Sequence, residues 1–407
     1  MSSGTIIGAG APSARTVRLG TRGSALAVAQ SSQVARAIVA ASRQIGTDLQ
    51  VELVPIRTRG DVDSTPLTRL GGVGVFAAAL REALLDGSCD LAVHSCKDLP
   101  TTPVPGLHIA AIPPREDPRD ALCTAGGVGL ADLPPGARVG TGSPRRAAQL
   151  LAVRPDLQVV PVRGNVPTRL SRVVGSVVGA DGPMGAVREP DLDAVVLALA
   201  GLRRLGLDDY ATQPLALPQD GPRAGTPGGD QSAQDASPAA AARTPVMVPA
   251  PAQGALALET RSTAGTEQDR PVGRPGADTS PRAGVAPRDP GLAAALAATV
   301  SALDDPLTHA AVTAERALMR HLEAGCAAPV GAVAVPTALP EGLTGLRLDA
   351  VVATADGRRV LRESVTGTRA DASALGEAVA QALLEAGAAD LVDLHAALPG
   401  RGRREAP

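Results

Sequence analysis

Leu91-Ala92-Val93-His94-Ser95-Cys96-Lys97-Asp98-Leu99-Pro100 is the stretch that decides how this chain is read. It opens as a short apolar run, bounded upstream by Gly87 and Ser88 and downstream by Pro100. That is the pattern of a strand buried on both faces of a parallel sheet. At its carboxyl end the polarity changes abruptly to His94, Ser95, Lys97 and Asp98. Open α/β sheets bind ligands beyond the carboxyl ends of their strands. Taken alone, the decapeptide reads better as a strand end with solvated charges. Lys97 is still singular, because it is the one lysine among 39 basic residues.

Working outward, the same grammar recurs. Residues 17–20 start a strand that ends in Thr21-Arg22-Gly23-Ser24, and 25–42 carry a helical pattern with Ser24 as its N-cap. A strand running through Arg-Gly-Ser into a helix N-terminus is a natural anion site. Residues 49–56 are a second strand, followed by T-R-G-D at 58–61, a Gly-rich loop at 65–74 with Arg69, and a helix over 75–85 that presents Phe76 and Leu80 on one face. This β-α-β-α-β order predicts a parallel, helix-covered sheet. Strands at 108–113 and 120–124 lead out of it, with a charged turn between them. A second unit follows. Strand 137–140 meets G-T-G-S-P-R-R at 140–146, where Ser143 at the N-cap and Pro144 at the first helical position announce a helix. Strand 157–162 ends in Arg163-Gly164-Asn165 before a short helix with Arg169. Strand 192–199 precedes a helix with Arg203 and Arg204. Residues 252–259 read as one more buried strand. A long helix at 305–323, strands near 330–335 and 345–353, and a helix near 371–386 form an α+β unit.

Composition narrows the function. A chain of 407 residues is too long for one core. The net charge of −2 argues against a general nucleic-acid or anionic-membrane binder. No tryptophan, one phenylalanine and one tyrosine leave no platform for stacking bases. Cys89, Cys96, Cys123 and Cys326 form no C-x-x-C pair, which suits a reduced cytoplasmic setting better than a disulfide framework. His94 and Cys96 lack a second ligand pair at zinc spacing, so no metal is expected. No signal segment or membrane span is visible, and residues 1–15 read as frayed. Stretches 175–190, 211–250 and 262–290 lack periodicity and read as insertions.

The chemistry lies in the arginines. Arg22, Arg69, the pair Arg145 and Arg146, the pair Arg163 and Arg169, and the pair Arg203 and Arg204 all stand where a strand gives way to a turn or helix. Guanidinium groups bind carboxylates in bidentate fashion. Any one of them is as readily a solvated surface arginine. Together they suggest a cleft for a polyanion. Nucleotide loops, a G-x-S-x-G elbow and an H-E-x-x-H zinc helix are all missing.

In order along the chain, T-R-G-S-A-L-A at 21–27, T-R-G-D at 58–61, A-V-H-S-C-K-D-L-P at 92–100 and R-E-D-P-R-D at 115–120 resemble the porphobilinogen deaminase (hydroxymethylbilane synthase) family. So do G-T-G-S-P-R-R at 140–146, R-G-N-V-P-T-R-L at 163–170, A-G-L-R-R-L-G-L at 200–207 and E-A-G-C at 323–326. The resemblance implies an α/β fold: two periplasmic-binding-protein-like (type II) domains plus a smaller α+β C-terminal domain. The boundaries expected are 15–113 (completed by about 250–262), 114–210 and 291–400, with 211–249 and 263–290 as low-complexity insertions. It implies a transferase of haem biosynthesis, a monomer in the cytoplasm. Four porphobilinogens would condense head to tail with loss of ammonia, and the product would pass to a separate cyclising synthase.

By motif position the resemblance assigns a covalent dipyrromethane to the Cys326 thioether and catalysis to Asp98. Loss of ammonia from porphobilinogen leaves an electrophilic azafulvene, and positive charge develops on pyrrole nitrogens, where a fixed carboxylate stabilises it. Asp98 would also assist proton transfer. Each unit adds an acetate and a propionate. Arg22, Ser24, Arg69, Lys97, Ser143, Arg145, Arg146, Arg163, Arg169 and Arg204 match cofactor- or substrate-binding positions. Gln253 matches a position near the substrate site, and Phe76 an aromatic next to the pyrrole rings. Departures from the family pattern are Val73 for a frequent lysine, Gly142 for a frequent serine, and Pro167 for a glycine. Two other readings stand beside this one: a non-catalytic solute-binding protein for a polycarboxylate, which gives the C-terminal unit no role, and an α/β regulatory module with incidental arginines.

Overall fold

The computed structural model describes residues 5–8, 15–56, 75–176, 178, 189–218, 246–262, 289–325 and 327–395. Residues 58–61, the loop 65–74 with Arg69 and Val73, Cys326 and most of the three expected insertions lie outside the described residues.

The first sheet begins with β1 (Thr5–Ile7) and β2 (Arg15–Thr21). Helix α1 (Ala25–Gln44) leads to β3 (Leu49–Pro55), and α2 (Val75–Leu85) to β4 (Leu91–Ser95) and β5 (Leu107–Ala111). The second holds β6 (Asp120–Thr124), β7 (Arg138–Gly140), α3 (Pro144–Val153), β8 (Gln158–Val160), α4 (Val166–Leu170), β9 (Ala194–Ala198), α5 (Leu199–Arg204) and β10 (Gln213–Pro214). The chain then returns as β11 (Leu256–Arg261) and α6 (Pro290–Ser301). The C-terminal unit comprises α7 (Pro306–His321), β12 (Val330–Ala338), β13 (Thr344–Ala353), β14 (Val360–Gly367), α8 (Ala372–Glu385) and α9 (Ala388–Leu391).

The first sheet has the order β1-β3-β2-β4-β11-β5, and the second β10-β6-β9-β7-β8. Both lobes repeat one plan. Two parallel strands lie beside a third, and next to it runs an antiparallel strand that has crossed from the other lobe: β11 in the first, β6 in the second. The two lobes thus share one sheet plan. The β-α-β-α-β strands β2, β3 and β4 pair in parallel as the sequence order predicts, and β11, entering from the other lobe, makes the sheet mixed. β1 likewise pairs antiparallel with β3, so residues 5–7 are not frayed. Three residues are too few to show a period.

Mostly aliphatic side chains fill the cores. Val17, Leu19, Val34, Ile38, Leu49, Val51, Leu91, Val93 and Leu258 pack in the first lobe. Burying each leucine contributes about 2 kcal/mol. Leu296 and Val300 of α6 join this same core, so α6 packs with the first lobe and not with the C-terminal unit to which the sequence pattern had joined it. Its run of alanines has no polar face to mark which side it buries. In the third unit a three-stranded sheet, β12-β13-β14, carries α7 and α8 on one face. Edge strand β14 was not expected from the sequence. The other face places Val333 and Val351 against Leu217 and Val248. Residues 213–217 and 246–249, read as the start and end of an insertion, are thus built into the structure.

Two crossovers, around 112–119 and 248–255, connect the lobes and touch each other: the Glu116 amide donates to the Gly254 carbonyl at 3.3 Å. Gly254 has φ +89°, and a Cβ there would collide with the Glu116 carbonyl, so only glycine fits. Glu315 of α7, fully buried, accepts from Arg115 at 2.6 and 3.0 Å, from the Ala334 amide at 2.7 Å and from the Ala252 amide. One carboxylate thereby fastens the C-terminal unit to both crossovers. No helix among the described residues is long and apolar enough to cross a membrane.

Candidate active site

β4 stops at Ser95, and Cys96–Asp98 make a single tight 3-10 turn. The Cys96 amide donates to the Ala255 carbonyl at 3.0 Å, and its side chain packs with Ala77, Leu99, Ile112 and Val312. With Cys96 turned inward, Lys97 and Asp98 turn outward. Asp98 is exposed and Lys97 half-buried. Arg316 of α7 donates to the carbonyls of Leu99 and Pro100 at 2.8 and 2.7 Å, which fixes the segment that follows. The Lys97 ammonium reaches Gln253 Oε1 at 3.4 Å. Burial pushes Lys97 down to about 8; Arg146 and Arg145 add to this, while Asp98 and Asp120 oppose it.

At the end of β2, buried Thr21 accepts from the Ser31 hydroxyl at 2.8 Å. Ser24 caps α1 by accepting from the Ala27 amide at 3.3 Å, as the sequence predicts. Arg22 lies between them, half-buried. The first turn of α1 faces the second lobe: a side chain added at Gly201 would meet Leu26 at 3.9 Å and Val166 at 4.0 Å.

In the second lobe Ser143 caps α3, accepting from the Arg146 amide at 3.5 Å, with Pro144 in the first turn. Both arginines of this turn point inward. Arg145 donates to Asp120 Oδ2 at 2.8 Å and to the Val248 carbonyl at 2.7 Å. Arg146 donates to Asp120 Oδ1 at 2.9 Å, the Val196 carbonyl at 3.2 Å and Gln253 Oε1 at 3.4 Å. The arginines are 3% and 6% exposed and Asp120 is wholly buried, so this is a desolvated cluster and not a solvated rim. Burial would raise the Asp120 carboxyl, but the two guanidiniums more than reverse that and hold it well below the carboxylate range. At position 142 an added Cβ would stand 2.7 Å from the Val162 carbonyl, so glycine suits the close approach there. Arg169 donates to the Gly164 carbonyl at 2.8 Å. Burial lowers it to about 10, Arg146 and Arg163 add to this, and Asp98 opposes it across the cleft.

Gln253 stands where the lobes meet. Its amide nitrogen donates to the Pro118 carbonyl and Asp120 Oδ1, both at 2.8 Å. Arg204 donates to the Gly254 carbonyl at 2.7 Å while its Nε is buried without a hydrogen-bond partner. Arg203 is turned away, paired at 2.7 Å with Glu116.

The structure thus gathers Lys97, Asp98, Arg145, Arg146, Arg169 and Gln253 in one electrostatic neighbourhood. Arg163 is exposed at the mouth, near enough to act on Arg169. Arg69, Cys326 and the Phe76 side chain are outside the described residues. Sequence reading gave no role to Asp120, Arg115, Glu315 or Arg316. The signal for Asp120 was an acid opening the apolar run Ala121-Leu122-Cys123. No group of three or more candidate metal ligands occurs among the described residues. Cys89, Cys96 and Cys123 are free and buried; burial pushes Cys89 and Cys123 up to about 12 and raises Cys96 as well.

Residues 17–268 match the family model described as porphobilinogen deaminase, dipyromethane cofactor binding domain, and residues 309–385 the porphobilinogen deaminase C-terminal domain. The chain belongs to the porphobilinogen deaminase family. Porphobilinogen deaminase of Micrococcus luteus is 50% identical over 350 residues, 86% of this chain and 81% of that one. The Cutibacterium acnes porphobilinogen deaminase is 46% identical over 389 residues, 93% and 98% of the two chains. Family membership also accounts for the C-terminal unit, which a solute-binding protein leaves without a role. The residues fit a dipyrromethane. Such a group presents several carboxylates, and the cleft offers Lys97, Arg169 and Arg204, the last with a buried donor to spare.

Proposed function

We propose that this porphobilinogen deaminase family member is a transferase that condenses four porphobilinogens head to tail, releasing ammonia and forming the linear tetrapyrrole hydroxymethylbilane. The observation that carries the reading is the exposed Asp98 carboxylate set among the cations Lys97, Arg169 and Arg146. When bound, dipyrromethane supplies the free pyrrole carbon to which the first unit is joined. Asp98 holds a pyrrole N–H and offsets the positive charge that develops there. Its carboxylate also takes the proton lost from the carbon of the new bond.

Arg22, Arg163, Arg169, Arg204 and Lys97, with Arg69 from the loop, receive acetate and propionate groups as the chain grows. Ser24 and Ser143 donate their hydroxyl hydrogens while their oxygens cap helices. Arg145 and Arg146 supply positive field from behind, and Phe76 packs on a pyrrole face. Cys326 is the attachment thiol; the other three cysteines are buried and stay protonated near neutral pH, which supports the choice. The protein acts as a cytoplasmic monomer and hands its product to a separate cyclising synthase.

An acidic aldehyde reagent for pyrroles, added to the purified protein, should develop dipyrromethane colour. Intact mass should show one covalent pyrrole dimer, and brief exposure to porphobilinogen should add further units. A colourless protein of unmodified mass overturns the enzyme reading.

A further inference from the structure

We propose that Asp120 is a positioning residue for the condensation site: from the first position of β6 it holds Arg146 and Gln253 so that cations of both lobes meet at one amide oxygen. The inference rests on the function proposed above.

Asp120 sits at the point where the chain enters the second lobe. Its Oδ1 accepts from Arg146 Nε at 2.9 Å and from Gln253 Nε2 at 2.8 Å, and its Oδ2 from Arg145 at 2.8 Å. The Gln253 amide cannot flip, because its nitrogen faces two acceptors, the Pro118 carbonyl and Asp120. Gln253 Oε1 is thereby aimed away from those acceptors, and there Lys97 Nζ of the first lobe and Arg146 Nη2 of the second both stand at 3.4 Å. Asp120 touches neither cleft surface. It acts on Lys97 through Gln253, and it offsets two guanidiniums that would otherwise repel that ammonium.

Replacing the carboxylate by an amide changes three things. Arg145 and Arg146 lose their shared counter-ion, one of the two acceptor oxygens that hold Arg145, Arg146 and Gln253 becomes an NH2 donor facing donors, and Lys97 loses a nearby negative charge. The charged groups that then act on Lys97 are Asp98 in its favour and Arg146 and Arg145 against it.

Lys97 is the one lysine, which makes the test direct. Competitive labelling of the holoenzyme with acetic anhydride across pH, read by peptide mass spectrometry at Lys97, reports its titration without any turnover. In Asp120→Asn the Lys97 midpoint should fall by about one unit relative to the wild type. The KM for porphobilinogen, expressed per dipyrromethane-loaded chain, should rise about tenfold. Asp120→Glu keeps the buried charge, so it remains informative if the amide variant does not fold. It moves the carboxylate by one methylene, so KM should rise several-fold while the Lys97 midpoint stays put. Loaded variants with wild-type KM and an unmoved Lys97 midpoint would reduce Asp120 to a folding element and overturn the proposal. If the wild-type protein itself carries no dipyrromethane, it is the function reading that has failed, before Asp120 comes into question.

Discussion

Both lobes place cations at the carboxyl ends of parallel strands and treat them in opposite ways. In the first lobe the turn after β4 carries unlike charges, Lys97 and Asp98, and neither is wholly withdrawn from solvent. In the second, the turn after β7 carries like charges, Arg145 and Arg146, and both are buried against Asp120. A buried pair of this kind contributes little net stability but is costly to break. An exposed acid contributes almost nothing to stability and is free to act on a ligand. On the proposed function, the first lobe presents the chemistry and the second a rigid positive background for it.

The sharpest way to break this contrast is Asp98→Ala. Bilane formation should fall on the order of a thousandfold, the scale of a lost acid–base and charge-stabilising group. The thermal midpoint should stay within the scatter of surface substitutions, because Asp98 is exposed and its side chain makes no hydrogen bond to another of the described residues. Activity assayed on loaded protein, beside a melting curve, reads both. Retained turnover would remove Asp98 from the chemistry. A collapsed midpoint would show that the first lobe, too, uses its strand end for structure.

Arg145→Met sharpens the other side, with a smaller effect. Removing one partner of a buried pair should cost about 3 kcal/mol in denaturant unfolding at neutral pH. The cost should depend on pH with a definite sign. The Asp120 carboxyl is depressed in the folded protein, so its contribution is present above the unfolded carboxylate range, near pH 4, and is lost as pH falls towards the folded value. With Arg145 gone that depression is smaller. The gap between wild type and variant should therefore narrow on acidification from pH 7 to about pH 3. A gap that does not change with pH would show that Asp120 is not what makes Arg145 costly to lose.

Much of this was legible in the sequence, and the limit is instructive. Ser24 and Ser143 announced their helices, and the switch from Val93 to Lys97 and Asp98 announced where β4 stops. Local rules suffice where the cause is local. The inward turn of Arg145 and Arg146 could not be read, because it depends on Asp120, Gln253 and Val248, which lie 25 to 107 residues away. An arginine at a helix start has the same sequence signature whether it meets ligand, water or a buried acid. The mixed pairing of β11 was hidden for the same reason: which strand it joins is set by the crossover and not by its own residues. α6 failed to declare its core because alanine serves equally well inside and out.

The smallest effects test whether the lobes use their capping serines alike. Ser24 accepts from the Ala27 amide at 3.3 Å and Ser143 from the Arg146 amide at 3.5 Å, both at the outer edge of good hydrogen-bond geometry. An N-cap lost to alanine costs about 1 kcal/mol, and each variant should show that much in unfolding. Their kinetics should differ. Ser24 lies at the end of β2 beside half-buried Arg22, and its hydroxyl hydrogen is free to meet a carboxylate, so Ser24→Ala should also raise KM severalfold. Ser143 begins the helix whose arginines are already held by Asp120, so Ser143→Ala should lose its cap energy with a smaller change in KM. Equal rises in KM would mean that both helix starts bind substrate directly and that the background role given to the second lobe is too narrow. Equal and negligible rises would leave both serines as caps, and the carboxylates of the growing chain would then be held by the cations alone.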